Sequence, residues 1–248
     1  MRRQPGKRIA LLDTVRGVAV VNMIVYHAVY DWVYVFGKPA AWFETNAAYL
    51  WEQAICWTFI FLAGMVSVYS RNLMRHGAVV FGCALVLTIV TALIIPEQII
   101  LYGVLHLLGT AMLLTALLRP CLEKIPPLWG AALSFVLFIF VKGVPRGFLG
   151  VADYALCSLP SSFYQFQWGF PLGFPAQGFW SSDYFPIVPW LFLFWTGMFL
   201  WRGLRRRVEP YLKATGEIPV FTAAGRHSLL IYMLHQPIVF GALWLITR

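Results

Sequence analysis

The sequence predicts an all-α fold: a polytopic transmembrane helix bundle of about seven spans, with the N-terminus cytoplasmic and the C-terminus external. Three observations predict it. Of the 248 residues, 60% are hydrophobic and only 12% charged, against about a quarter charged in soluble domains, and the mean hydropathy is +0.72. Seven apolar runs approach the roughly 20 residues that a helix needs to cross a bilayer. The basic residues also sort by side, since 15 of the 19 Lys and Arg fall on one face of the membrane when the runs alternate from a cytoplasmic start, as the positive-inside rule requires.

The first run, 17–36, follows the basic start Arg2, Arg3, Lys7 and Arg8. It is too long for a secretory signal and no small-residue cleavage site follows it, so it is expected to stay as a span. The second run, 51–69, and the third, 78–95, are joined by a short basic segment carrying Arg71 and Arg75. The fourth, 99–118, contains His106, and a joint with Arg119 and Lys124 leads to the fifth, 128–141, the shortest of the set. The segment 142–184 is external in this arrangement and includes QFQWGFPLGFPAQGFW. So aromatic and weakly charged a stretch is expected to pack on the membrane surface or cap a cavity, not to be disordered. The sixth run, 185–201, is followed by a basic connection, 202–226, whose RGLRRR run suits a topogenic or anionic-lipid role. The seventh is 228–246.

No polar linker interrupts the chain, which is expected to form one integral-membrane domain, 1–248, with the lipid bilayer as its surroundings. No inverted repeat of the kind common in transporters is evident. The net charge of +9 is explained by topology, so no nucleic-acid partner is needed. Cys56, Cys83 and Cys121 lie in or beside runs and Cys157 stands alone outside, which suggests no disulfide framework.

Ionisable groups inside a span are costly and mark function or buried hydrogen bonding. In the stretch DTVRGVAVVNMIVYHAVYD, residues Asp13, Arg16, Val20, Met23, His27, Asp31 and Tyr34 are spaced three or four apart and share one helical face. Arg16 and His27, eleven residues apart, stand about 16 Å apart along a helix axis. Asp31 is positioned one turn beyond His27 to accept its hydrogen bond, giving a base with an orienter. A structural stripe of interhelical hydrogen bonds explains the same pattern. Asn22 points off the stripe and is read as structural.

His106 in YGVLHLLG, and His235 with Gln236 in SLLIYMLHQP, add polar groups from two further spans. Asp183 and Trp190 in SSDYFPIVPW suit either substrate contact or a helix start, with Asp as N-cap and Trp in the aromatic belt. Arg71, Arg75 and Arg226 suit topology or phosphate binding by bidentate guanidinium contacts. From the residues alone, an enzyme using His27 as a base, a haem-binding electron carrier using two of the three histidines and a proton-coupled transporter remain open.

The segments RIALLDTVRGVAVVNMIVYH, FIFLAGMVS, YGVLHLLG, SDYFPIVPWLFLFWTGMF and GRHSLLIYMLHQPIV occur in this order. Together they resemble the transmembrane acyltransferase superfamily, in particular bacterial relatives of heparan-α-glucosaminide N-acetyltransferase. The most specific element is Arg16, ten intervening residues and His27. The resemblance implies an acyltransferase of the bacterial cytoplasmic (inner) membrane. It would use acetyl-CoA as donor substrate from the cytoplasm, no metal, and a sugar-like hydroxyl or amine acceptor on the other side. It further implies a catalytic His27 and a donor-binding Arg16. On this reading Asp31 joins His27 in catalysis and Arg71, Arg75 and Arg226 join Arg16 at the donor. His106, Asp183, Trp190, His235 and Gln236 fall to the acceptor, and a homodimer stays open. The chain has fewer spans than the ten or eleven usual in the larger members and no soluble external domain.

Overall fold

The computed structural model describes residues 9–248, so the topogenic Arg2, Arg3, Lys7 and Arg8 lie outside the described residues. The helices in chain order are α1 (Ala10–Tyr30), α2 (Asn46–Ser67), α3 (Leu73–Ile94), α4 (Val104–Leu117), α5 (Arg119–Leu122), α6 (Pro127–Phe140), α7 (Ile187–Ala214), α8 (Pro219–Arg226) and α9 (Ser228–Thr247). Among the described residues, six helices are long and apolar enough to cross a membrane, and α4 is a shorter apolar one. The chain is thus a polytopic helical membrane protein, as its composition predicts.

Two compact units emerge, one of Met1–Phe59 with Leu204–Arg248 and one of Ile60–Gly203. Both boundaries fall within helices, α2 and α7.

Four elements differ from expectation. Helix α1 starts at Ala10, seven residues before the apolar run, because Asp13 and Arg16 pair on its first turns at 3.3 Å and lower each other's cost there. After Tyr30 it widens into a π-helical turn, Asp31–Val35. That changes the angular step, so Tyr34 leaves the buried stripe and is 54% exposed.

Helix α4 of the fourth run has 14 residues, as does α6 of the fifth, which reaches the 20 residues of a span only through the turns that continue it to Arg146. The run at 99–118 cannot be helical throughout, because Tyr102 takes a left-handed φ of 62° and Gly103 is extended. The connection at 202–226 is mostly helical, since α7 continues to Ala214 and α8 follows. Its Arg, Leu and Lys residues are good helix formers, and Lys213 bridges Glu209 at 2.5 Å.

The external segment is ordered by its own contacts. Strands β1 (Phe148–Val151) and β2 (Tyr154–Ser158) pair antiparallel, and Arg146 closes their turn by bonding Asp153 at 2.7 Å and the Ala152 carbonyl at 3.0 Å. Phe170 stacks on Phe179, which leans on Tyr184. The Tyr184 hydroxyl donates to the Phe170 carbonyl at 2.7 Å, and burial pushes that phenol's pKa above its ordinary value. The hairpin has no clear period-2 pattern, since β2 is exposed throughout.

In the second unit, α2 and α7 cross at Gly64 and Gly197. A Cβ on Gly64 would stand 1.9 Å from the Phe194 carbonyl oxygen, and one on Gly197 2.1 Å from that of Phe61. Small residues of this kind let membrane helices approach backbone to backbone. Phe194 and Phe199 of α7 are fully buried.

Candidate active site

In the first unit, α1 and α8 meet through two glycines, each adjacent in sequence to an arginine. Added Cβ atoms on Gly17 and Gly225 would each lie 1.8 Å from a carbonyl oxygen of the other helix, that of Phe221 and of Asp13 respectively. The Thr14 and Thr222 hydroxyls lock the crossing with a buried 2.7 Å hydrogen bond. This approach brings Arg16 and Arg226 to one carboxylate: Asp13 lies 3.3 Å from the Arg16 guanidinium and 3.7 Å from that of Arg226. Arg226 also bridges Glu217 at 3.5 Å. Two of the four expected donor-binding arginines therefore share one cluster, with its positive charge compensated by two carboxylates.

Farther along α1, the stripe faces α9. Val20 and Met23 are buried, and beyond them the His27 ring touches the His235 ring, with centroids 4.8 Å apart and planes tilted by 59°. Tyr26 meets His27 edge-on and donates to Glu52 at 3.3 Å. Its ring also packs on Phe43 and Trp51.

The expected hydrogen bond from His27 to Asp31 is not made. Asp31, 1% exposed, instead accepts the Gln236 amide on both carboxylate oxygens, at 2.8 and 3.0 Å. The α9 partner satisfies the carboxylate more fully than an imidazole on its own helix, since both oxygens share one donor. Asp31 thus positions Gln236 on α9.

His235 is fixed by its own helix. Its Nδ1 lies 2.6 Å from the Tyr232 carbonyl oxygen. Its Nε2 and the Gln236 Oε1 are the buried side-chain polar atoms without a hydrogen-bond partner among the described residues. Two axial imidazoles of a haem stand on opposite faces of the macrocycle, whereas the His27 and His235 rings are in contact, so this pair is not arranged to ligate one.

The other expected site residues belong to the second unit. His106 is buried on α4, 3.3 Å from the Thr88 hydroxyl, with Tyr102 stacked on one side and Phe81 edge-on. Thr88 itself donates to the Ile100 carbonyl at 2.7 Å. Asp183 caps a helix distant in sequence: its Oδ2 accepts the Val104 N–H of α4 at 3.0 Å. Trp190 is buried between Phe138 and Phe185. Arg71 and Arg75 are exposed at the start of α3, where Asn72 accepts the Arg75 backbone N–H at 2.9 Å.

Sequence reasoning does not single out Thr14, Thr222, Glu217, Tyr232 or Glu52. Glu52 carries a signal, an acid within an apolar run. The others are ordinary residues whose role comes from partners distant in sequence. Asn22 is structural as read, accepting the Trp51 indole N–H at 3.1 Å.

No curated protein and no solved structure matches the chain. Residues 8–237 match the family described as "Heparan-alpha-glucosaminide N-acetyltransferase, catalytic". That match takes in the arginine cluster, the paired histidines and both carboxylates of the stripe, and covers well over half the sequence, so the chain belongs to the heparan-alpha-glucosaminide N-acetyltransferase catalytic family of membrane acetyltransferases.

Proposed function

We propose that this protein moves an acetyl or other short acyl group from cytoplasmic acyl-CoA to a sugar-like hydroxyl or amine on the opposite side of the membrane. The observation that supports this reading most is the contact of His27 with His235 beside two buried polar atoms that have no partner among the described residues, in a chain whose family performs acetyl transfer. Buried polar atoms are costly to leave unsatisfied, and they suit a place where a polar substrate docks.

Arg16 and Arg226 supply the donor side. Guanidinium groups bind phosphate oxygens in bidentate fashion, and the phosphates of coenzyme A compete with Asp13 and Glu217 for them. On the charge-derived topology these arginines face the cytoplasm, where acyl-CoA is made. His27 acts in the transfer as general base on the acceptor or as transient acyl carrier. His106, Asp183 and Trp190 are assigned to the acceptor side, with the aromatic segment 142–184 offering ring faces to a sugar. Because Asp183 also holds α4 and Trp190 is buried among aromatics, their effect on the acceptor runs through the shape of that region.

The test is acetyl transfer in detergent-purified protein with labelled acetyl-CoA and a panel of amino sugars and glycosides. His27→Ala should abolish transfer while the protein still inserts and folds. Full activity in that variant sinks the assignment.

A further inference from the structure

We infer that His235 is the general base of the acyl transfer, with its Nε2 taking the proton of the acceptor; the inference rests on the acyltransferase reading above. A carbonyl oxygen can only accept, so the 2.6 Å contact with Tyr232 assigns the proton of His235 to Nδ1. In a neutral imidazole the other nitrogen then carries the lone pair. That nitrogen, Nε2, is buried with no partner among the described residues, on a residue only 7% exposed. A base needs this arrangement: one nitrogen held by a fixed acceptor and the other presenting a lone pair where little water competes.

His27 has no comparable anchor. Its ring packs against those of Tyr26 and His235, and Asp31, expected to orient it, is committed to Gln236. The tautomer that the sequence assigns to a His27–Asp31 pair is instead built at His235 with a backbone carbonyl. Ring contact between the two histidines puts any group that meets Nε2 close to His27 as well, which leaves His27 for the acyl group.

The step balances without another reactant. The acceptor oxygen or nitrogen forms a bond to the acyl carbon of the thioester, and the carbon–sulfur bond breaks. The proton of the acceptor passes to His235 Nε2 and then to the departing sulfur, so coenzyme A leaves as the thiol and His235 returns to its neutral form.

The decisive variant is His235→Asn. Asparagine keeps an N–H that can reach the Tyr232 carbonyl but has nothing in place of Nε2, so it separates a base from a structural hydrogen bond. With purified full-length protein, labelled acetyl-CoA and glucosamine as acceptor probe, transfer should fall by about 100-fold or more. Coenzyme A affinity should stay within about threefold, because the arginine cluster is untouched. Transfer within tenfold of wild type in the Asn variant overturns the proposal and leaves a structural role. Should that variant not fold, His235→Ala with added imidazole decides: imidazole restores transfer if a base is missing, and a folded Ala variant that imidazole does not restore overturns the inference. Wild-type protein that moves no label to glucosamine or to any other member of the amino sugar and glycoside panel overturns the acyltransferase reading itself, an outcome distinct from an active wild type with an active Asn variant.

Discussion

Replacing Gly17 with alanine tests whether the crossing of α1 and α8 builds the arginine cluster. The new Cβ would lie 1.8 Å from the Phe221 carbonyl oxygen, 2.6 Å from its carbon and 3.0 Å from the Gly225 nitrogen. All three are backbone atoms, so no rotamer change relieves the clash. Carbon–oxygen contacts need about 3.3 Å, so the helices must part by roughly 1.5 Å at that point. Overpacking of this kind costs about 1–3 kcal/mol, and a rigid backbone neighbour argues for the upper end. The intrinsic helical preference for alanine returns up to about 1 kcal/mol, which leaves a net loss near 2 kcal/mol. Gly82 of α3 is the control, since a Cβ there meets no atom within 4 Å and its replacement should be neutral or stabilising by up to about 1 kcal/mol. Unfolding of the detergent-solubilised protein measures both. Parting the helices also draws Arg226 from Asp13, so Gly17→Ala should weaken coenzyme A binding and Gly82→Ala should not. Equal unfolding midpoints for the two variants would refute the reasoning.

Arg16→Ala removes charge-assisted contacts worth about 1.5–3 kcal/mol, and coenzyme A affinity measured by titration should drop by 10-fold or more; unchanged affinity counts against a donor role. Asp183→Ala uncaps α4 and should lower stability by about 1 kcal/mol in thermal unfolding, with Asp183→Asn closer to wild type because its carbonyl still accepts from Val104. If the alanine variant is as stable as the parent, the cap is not what Asp183 provides.

Much of the helical framework is legible in the sequence because bilayer crossing imposes a length and a polarity that composition reports directly. The polar stripe is legible for the same reason: Val20, Met23 and Asp31 share the buried face that their spacing assigns. The limits of α1 and α4 are not, since they depend on interactions that run length cannot express. The first turns of α1 are held by an ion pair, and α4 begins where a carboxylate 79 positions away caps it. Candidate-site chemistry divides in the same way. The residue types come from the sequence, while the partner of Asp31 is 205 positions distant and no local rule selects Gln236 over His27. The glycines beside Arg16 and Arg226 are the sequence signal for their convergence, and they acquire meaning only once α8 is known to be a helix.

The acids of the first span make physical sense as fasteners. A carboxylate in an apolar span is tolerated when a specific partner compensates it, and each here ties α1 to a different helix: Asp13 to α8 through Arg226, Asp31 to α9 through Gln236. His27 lies between these two ties and closer to the second, with ring contacts and no hydrogen bond of its own among the described residues. A reacting group is best held by the frame around it, leaving its own polar atoms to the substrate. Loss of either tie should therefore move His27 relative to His235 without removing an atom of either ring, so damage at Asp31 belongs with positioning even though the residue stands one turn from the His27 ring.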